Sequence, residues 1–397
     1  MNIGIGRCLK RMDPFNFHVP VKLHFGRGQL GVLGSVAKEL GKKALLVTHP
    51  WHDSRGDLLP QAKSCEEARN LLEKEGVDVI VYDRVQPNPD VVDIDAGAAI
   101  ARGHGTDIVV GMGGGSAMDS AKAISLVASL GGSAWDYLFF KKPTIARGLL
   151  PVITVTTTSG TGSHMTNIAV VSNRKTSEKY PIVNSRLYPV HAICDPELML
   201  TIPAQPTVEM GFDVFAHAFE SYTARNASPI IDVLALDAMR IVSSTLTRLS
   251  VNLHDITLRE AMALADTLAG ICIANVGTTA PHAMGQPISA IAPRISHGLS
   301  LMMVYPPFLR RSAAGAPAKF IEVGRLFDST IQEERGAAET IASWIRQFNL
   351  PGRLQDAGVE HVDIDDLQRQ CMVFKKVDKG PVNLTADDVR SMYSEIL

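Results

Sequence analysis

The chain has 397 residues, of which 46% are hydrophobic and 20% are charged, the balance of an ordinary globular protein. This composition excludes a disordered, collagen-like or coiled-coil chain, and the length favours two domains. Lys and Arg number 39 against 41 Asp and Glu, giving a formal charge of -2. There is no basic excess to bind a nucleic-acid backbone or an anionic membrane surface.

The cysteines and the first residues bear on where the protein works. The five cysteines lie far apart without a CxxC pair, so we expect neither a disulfide scaffold nor a zinc ribbon, and a reducing, cytoplasmic setting fits best. Residues 1–12 are basic without the apolar core of a signal peptide, so we expect either that they form a disordered extension or that Met12 is the real start. No apolar stretch reaches the roughly 20 residues of a membrane span.

In the first half, short apolar runs alternate with helical patterns. The runs predict strands at 43–48, 77–82, 107–110 and 152–155, and three- and four-residue apolar spacing predicts helices at 66–75 and 91–103. Short apolar strands between helices indicate a parallel sheet covered on both faces.

The pattern changes near Pro196, beyond which strand signals nearly vanish. Apolar residues at three and four spacing predict helices over 207–222, 229–250 and 257–275. We therefore predict an α/β domain over 1–196 and an all-helical domain over 197–397. The cleft between them is a common place for a small-molecule site.

Two turns follow predicted strands and are rich in small residues. The first is Gly113, Gly114, Gly115 and Ser116, which leads into a helix predicted from residue 117. Glycines let a backbone approach a ligand, and a helix N-terminus attracts phosphate, so we favour pyrophosphate binding over a simple tight turn. Ser116 is expected to cap that helix with Asp119. The second turn, over 156–163, suits the same nucleotide, although alone it also fits a polar loop. The GxGxxG fingerprint is absent.

A carboxylate and three imidazoles form a candidate metal site. Asp213 and His217 are four residues apart on a predicted helix and therefore share one face, which suits either a metal ion or a buried Asp–His hydrogen bond. His282 and His297 each begin a further predicted helix and favour the metal. This mixed oxygen and nitrogen set suits Fe(II) or Zn(II) better than Mg or Ca. The other histidines look less organised.

These motifs, together with the segments 22–26 and 85–89, resemble the iron-containing, or group III, alcohol dehydrogenase family of the dehydroquinate synthase-like superfamily. The resemblance covers nearly the whole chain except the first dozen residues. It implies an N-terminal nucleotide domain, a C-terminal helical metal-binding domain, and the metal ligands Asp213, His217, His282 and His297. It further implies a pyrophosphate loop at Gly113 to Ser116 and cofactor contacts from Thr157, Thr158, Thr161, Lys179 and Asp119. The family commonly forms dimers.

The sequence departs from the family pattern at three positions. His49 stands where many members carry an acidic residue for the adenosine ribose, so we expect weakened discrimination between NAD and NADP. Gln286 replaces a histidine four residues after the third ligand. His164 replaces the glutamate of the second turn.

The implied reaction is reversible hydride transfer between a small primary alcohol and NAD or NADP, assisted by iron or zinc. Arg294 lies between two proposed ligands and predicts a substrate with a carboxylate, phosphonate or sulfonate tail, unless it points to solvent or pairs with a local acid. His164 and Gln286 are further substrate-side candidates. The alternatives are a hydroxyacid–oxoacid transhydrogenase and a dehydroquinate synthase-like lyase.

Overall fold

A six-stranded parallel sheet forms the centre of the N-terminal half. The computed structural model describes residues 14–141, 148–375 and 377–397, so the expectation for residues 1–11 lies outside the described residues. The eight strands are β1 (Lys22–Phe25), β2 (Lys43–Val47), β3 (Asp78–Tyr82), β4 (Ile108–Gly113), β5 (Val152–Thr156), β6 (Ile168–Asn173), β7 (Glu178–Val183) and β8 (His191–Cys194). Six of them form the parallel sheet in the order β1-β8-β5-β4-β2-β3, and β6 and β7 form a separate antiparallel pair.

Four helices connect the strands of this half. They are α1 (Leu33–Leu40), α2 (Ala62–Lys74), α3 (Val91–His104) and α4 (Gly115–Leu130). The central strand β4 is fully buried because it pairs with β2 on one side and β5 on the other. The register aligns Gly113 with Thr156, so the two small-residue turns leave neighbouring strands side by side.

The C-terminal half consists of helices throughout its described residues. They are α5 (Ala204–Thr223), α6 (Pro229–Leu249), α7 (Ile256–Asn275), α8 (Ala280–Ile291), α9 (His297–Ser312), α10 (Pro317–Gly324), α11 (Glu334–Arg346), α12 (Ile364–Met372) and α13 (Ala386–Glu395). Helix α5 lies at the centre of the bundle, and its residues from Gly211 to Thr223 are all buried. This burial explains why aromatic side chains, Phe212, Phe215 and Phe219, recur along it.

The predicted fold class, a parallel α/β half followed by a helical half, is confirmed. The antiparallel pair β6–β7 was not predicted. The boundary between 196 and 197 stays a prediction. Among the described residues, no single helix is long and apolar enough to cross a membrane, although α7 and α8 pass that test as a pair bent by 103°.

Candidate active site

One cavity of about 840 Å³ lies between the sheet and the helical half. Nearly every site residue predicted from the sequence lines this cavity. Its walls include His49, Gly113, Gly114, Gly115, Ser116, Asp119, Thr157, Thr158, Thr161, Lys179, Asp213, His217, His282, Gln286, Arg294 and His297. The glycine turn, the second turn and the candidate metal ligands therefore face a single space.

The glycine turn connects β4 to α4, and no side chain caps the N-terminus of α4. Helix α4 begins at Gly115, and its N-cap, Gly114, supplies no side-chain hydrogen bond. The expectation that Ser116 caps this helix is therefore wrong, because Ser116 already lies within its first turn. A Cβ at Gly115 would lie 2.6 Å from Cγ2 of Thr161, so glycine is required for the two turns to pack together. The first N–H groups of α4 remain free for an anion.

A buried lysine, which sequence reasoning missed, holds the second turn in place. The Lys122 ammonium donates to the carbonyl and Oγ of Ser163 at 2.6 and 2.8 Å and to the carbonyl of Ile168 at 2.9 Å. Asp119 does not act in a cap but accepts from Ser163 Oγ at 2.6 Å and from Val170 N–H at 2.9 Å. Burial lowers the pKa of Lys122 to about 8, an effect that nearby Asp119 opposes.

The second turn also contacts the helical half directly. Gly162 has φ +60°, and a Cβ there would lie 2.5 Å from Cα of Gly270 on α7. Its N–H donates to Asp266 of the same helix at 2.8 Å. Only a glycine pair allows the two backbones to approach this closely, so the turn and α7 are fixed relative to each other.

His49 and Lys179 line the cavity and have defined partners. Lys179 Nζ donates to Oδ1 of Asn88 at 2.6 Å, and burial lowers its pKa to about 8. His49 Nδ1 donates to the carbonyl of Val85 at 2.9 Å, and burial lowers its pKa despite this bond. His49 is therefore neutral near pH 7, and it carries no charge that could attract or repel a 2′-phosphate.

Three candidate ligands meet at a buried point. One ligand atom from each of Asp213, His217 and His282 lies within 4.8 Å of the others. Asp213 Oδ1 is 3.2 Å from His282 Nε2 and 3.5 Å from His217 Nε2. His297 falls outside this tight group, but its ring centroid is 5.1 Å from that of His282.

Two of these imidazoles, those of His217 and His282, also make a hydrogen bond through Nδ1, and this bond fixes which ring nitrogen carries the proton. His217 Nδ1 donates to the carbonyl of Gly160 at 3.2 Å, which leaves Nε2 with its lone pair towards Asp213.

Asp213 Oδ1 and His282 Nε2 are buried and make no well-aligned hydrogen bond with any described residue. Buried polar atoms without partners are costly, and a carboxylate with imidazole nitrogens is a donor set that Fe(II) or Zn(II) accepts. The residues present therefore fit a metal ion.

Glu220 is a further site residue that the sequence analysis did not single out. Its Oε1 accepts from His282 Nδ1 at 2.6 Å, and its Oε2 accepts from the Thr279 N–H at 2.6 Å. Burial alone would raise the pKa of Glu220, but His282 and these hydrogen bonds lower it. The charged carboxylate holds the proton of His282 on Nδ1, so that Nε2 is left to bind a metal.

We expect Glu220→Gln to weaken metal binding by about 10- to 100-fold, because an amide orients His282 less firmly and does not raise its basicity. Titration of the metal-free protein with Fe(II) or Zn(II) measures this. Glu260→Gln, which alters an exposed ion pair with Arg27, is the matched control and should bind metal normally. Unaltered affinity in Glu220→Gln would show that the carboxylate does not support the site.

Of the two basic substrate-side candidates, His164 lies away from the cavity and Arg294 lines it. His164 is fully buried, its Nε2 lies 3.0 Å from Thr267 Oγ1, and it is not part of the cavity wall. Burial lowers its pKa to about 3, and the prediction that His164 lies on the substrate side is wrong because its side chain packs against α7 instead. Arg294 does line the cavity, but its exposed guanidinium donates to the carbonyl of Gly358 rather than to an acid.

Comparison with known proteins gives the same family over both halves. The family model described as iron-containing alcohol dehydrogenase matches residues 20–196, and that of the Fe-containing alcohol dehydrogenase family, C-terminal, matches 207–397. The NAD-dependent methanol dehydrogenase of Bacillus methanolicus is 31% identical over 389 residues, covering 96% of this chain and 100% of that protein.

Two solved structures have the same fold over almost their full length. An archaeal halo-thermophilic alcohol dehydrogenase from a Red Sea brine pool has a TM-score of 0.87 and 31% identity, covering 98% of this chain and 100% of that one. The sulfoacetaldehyde reductase of Bifidobacterium kashiwanohense, solved with NAD+, has a TM-score of 0.83 and 29% identity, covering 97% and 99%.

The fold and the cavity thus define an oxidoreductase of the alcohol dehydrogenase class. The chain belongs to the iron-containing alcohol dehydrogenase family.

Proposed function

We propose that this protein is an iron-dependent, NAD-linked dehydrogenase that interconverts a small primary alcohol and its aldehyde. One observation carries the proposal: the buried cluster of Asp213, His217 and His282 faces the same cavity as the glycine turn. A nicotinamide dinucleotide bound on that turn would extend towards the cluster within one enclosed space. Its relatives include NAD-dependent and iron-containing enzymes.

The chain's own residues bind and orient the reactants. Asp213, His217 and His282 would hold the metal with His297, and Glu220 fixes the orientation of His282. Bound metal and nicotinamide supply a Lewis acid and a hydride carrier. The first N–H groups of α4 would hold the pyrophosphate of the nicotinamide dinucleotide, and Lys122 keeps the second turn in position beside that place. The neutral amide of Gln286 has no titrating proton, so this residue would not relay the proton released on oxidation.

The experiment that tests this function is a panel of aldehydes with NADH and NADPH, using protein loaded anaerobically with iron. Net loss of reduced nicotinamide absorbance in step with aldehyde consumption supports the dehydrogenase. Catalysis without net change in nicotinamide favours the transhydrogenase or the lyase instead. The cytoplasmic location, the homodimer and zinc as a substitute for iron stay predictions.

Cofactor choice depends on His49. We propose that NAD is the preferred cofactor and that NADP(H) is also usable, because a neutral imidazole neither repels nor attracts the 2′-phosphate. His49→Asp is expected to raise the preference for NAD by at least about tenfold, since a carboxylate repels that phosphate.

The measurement is kcat/KM for both cofactors in the two proteins. The same change at His52, which is exposed on the loop after β2, is the control and should leave the ratio unaltered. Rejection of NADP by several orders of magnitude in the unmodified enzyme would contradict this account of His49.

We further propose that Arg294 favours a substrate with an anionic tail. The guanidinium has five donors, and its bond to the Gly358 carbonyl uses one of them, while Arg294 lines the cavity. A short aldehyde carrying a carboxylate, phosphonate or sulfonate is therefore expected to outperform butanal. Arg294→Ala should raise KM for the anionic aldehyde about tenfold or more and leave that for butanal nearly unchanged. Equal losses on both aldehydes would eliminate the idea.

A further inference from the structure

Gln286 presents a buried polar atom that nothing in the described chain satisfies. Its side chain is only 5% exposed, and its Oε1 has no hydrogen-bond partner among the described residues. Gln286 nevertheless lines the cavity. A buried acceptor without a protein donor is rare in folded proteins, and one that faces the substrate cavity can be satisfied by a bound ligand.

The position of Gln286 places this acceptor beside the reacting centre. Gln286 follows His282 by four residues on α8, so the two side chains share a face about 6 Å apart. The backbone of this turn is held from outside the helix: the Met284 carbonyl accepts from Tyr393 OH at 2.9 Å, and that of Gly285 accepts from Ser300 Oγ at 3.2 Å. The amide is therefore presented at a fixed place.

The charged groups around the cavity indicate which kind of ligand group could donate to Gln286 Oε1. A carboxylate or phosphonate has no proton to offer Oε1, and the cation that suits such groups, Arg294, lies exposed at the cavity mouth. An ammonium group would be repelled by Lys179 and by the metal ion that the cluster would hold. A neutral hydroxyl donates to Oε1 and can also accept from the amide N–H.

We infer that Gln286 is a specificity-determining residue that binds a second hydroxyl of the substrate, one or two carbons from the reacting carbon. A substrate with such a hydroxyl, a short diol or hydroxyaldehyde, is then preferred over the unsubstituted alcohol or aldehyde of the same length, and this preference is separate from the one proposed for Arg294. This inference rests on the proposed function, because the reacting carbon is placed by the metal cluster.

The test compares four-carbon alcohols of similar size on the iron-loaded enzyme with NAD. The kcat/KM for 1,2-butanediol or 1,3-butanediol is expected to exceed that for 1-butanol by at least about tenfold. Gln286→Met, which keeps the length of the side chain but removes the amide, should abolish that ratio. Gln286→Asn, which keeps an amide, should restore part of it. Gln347→Met makes the same change at an exposed glutamine and should leave the ratio as in the unmodified protein.

Each outcome decides between the hypotheses. No preference for either diol in the unmodified enzyme, or an unchanged preference in Gln286→Met, overturns the inference. If no alcohol is oxidised, the proposed function fails, and calorimetric titration of the loaded protein with the same alcohols still tests Gln286. Tighter binding of a diol that disappears in Gln286→Met supports the inference, and equal binding of all the alcohols overturns it. Melting curves of both Gln286 variants identify any that has lost the fold.

Discussion

Replacing His282 with alanine is expected to remove bound iron and alcohol oxidation together. His282 contributes one of the three converging ligand atoms, and Glu220 orients it from behind. A partner that only orients a ligand contributes about 10- to 100-fold to metal affinity or activity, so loss of the ligand itself should cost more than about 100-fold. Iron per chain and the rate of NADH formation should fall in parallel.

His254→Ala is the matched control for this experiment. His254 is exposed just before α7 and remote from the cluster in the sequence. That variant should retain both iron and activity. A His282→Ala protein that keeps full activity, or that keeps its iron while losing activity only slightly, would show that the cluster is not the metal site.

Replacing Lys122 with methionine is expected to destabilise the N-terminal half strongly. The ammonium is fully buried and is shared among Ser163, Thr166 and Ile168, with Asp119 4.0 Å away. Methionine fills the space but leaves several buried acceptors and a carboxylate without their cation. The loss is about 3 kcal/mol, which corresponds to a fall in Tm of about 6 to 12 °C. The KM for NAD should rise as well, because the second turn loses its support.

Thermal unfolding of the two proteins measures the first effect, and steady-state kinetics measures the second. Lys38→Met provides the comparison, since Lys38 forms an exposed ion pair with Glu75 and its loss should shift Tm little. If Lys122→Met melts as the unmodified protein does and binds NAD equally well, Lys122 does not hold the turn.

Periodicity predicted the elements that have one clear apolar face or a fully apolar run. The helix predicted over 207–222 is observed at Ala204–Thr223, and the run at 107–110 overlaps β4, which begins at Ile108. The pair β6–β7 was missed although residues 168–171 of β6 form a continuous apolar run, and its partner β7 gives a weaker signal because it mixes polar and apolar residues and contains Pro181. A turn signal was also present, in Asn173 at the end of β6 and in Ser177 just before β7.

Some residues of the site could be predicted from sequence patterns, whereas the position of others depends on how the helices pack. Asp213 and His217 share a face of α5, and Glu220 lies three residues further along the same helix, so the same spacing argument could have included it. Lys122 interrupts an apolar helix, which is itself a signal of a buried charge with partners. The placement of His164 could not be foreseen, because a turn residue faces the cavity or the core according to how α7 packs against that turn.

The most direct test of the proposed chemistry is a titration of the metal-free protein with Fe(II) under anaerobic conditions. The rate of NADH formation from a primary alcohol that the enzyme oxidises is measured at each step. We expect no turnover without metal, a linear rise in rate with added iron, and a plateau at one ion per chain, with His282→Ala remaining inactive throughout. Full turnover by protein shown to be free of metal would contradict the central claim.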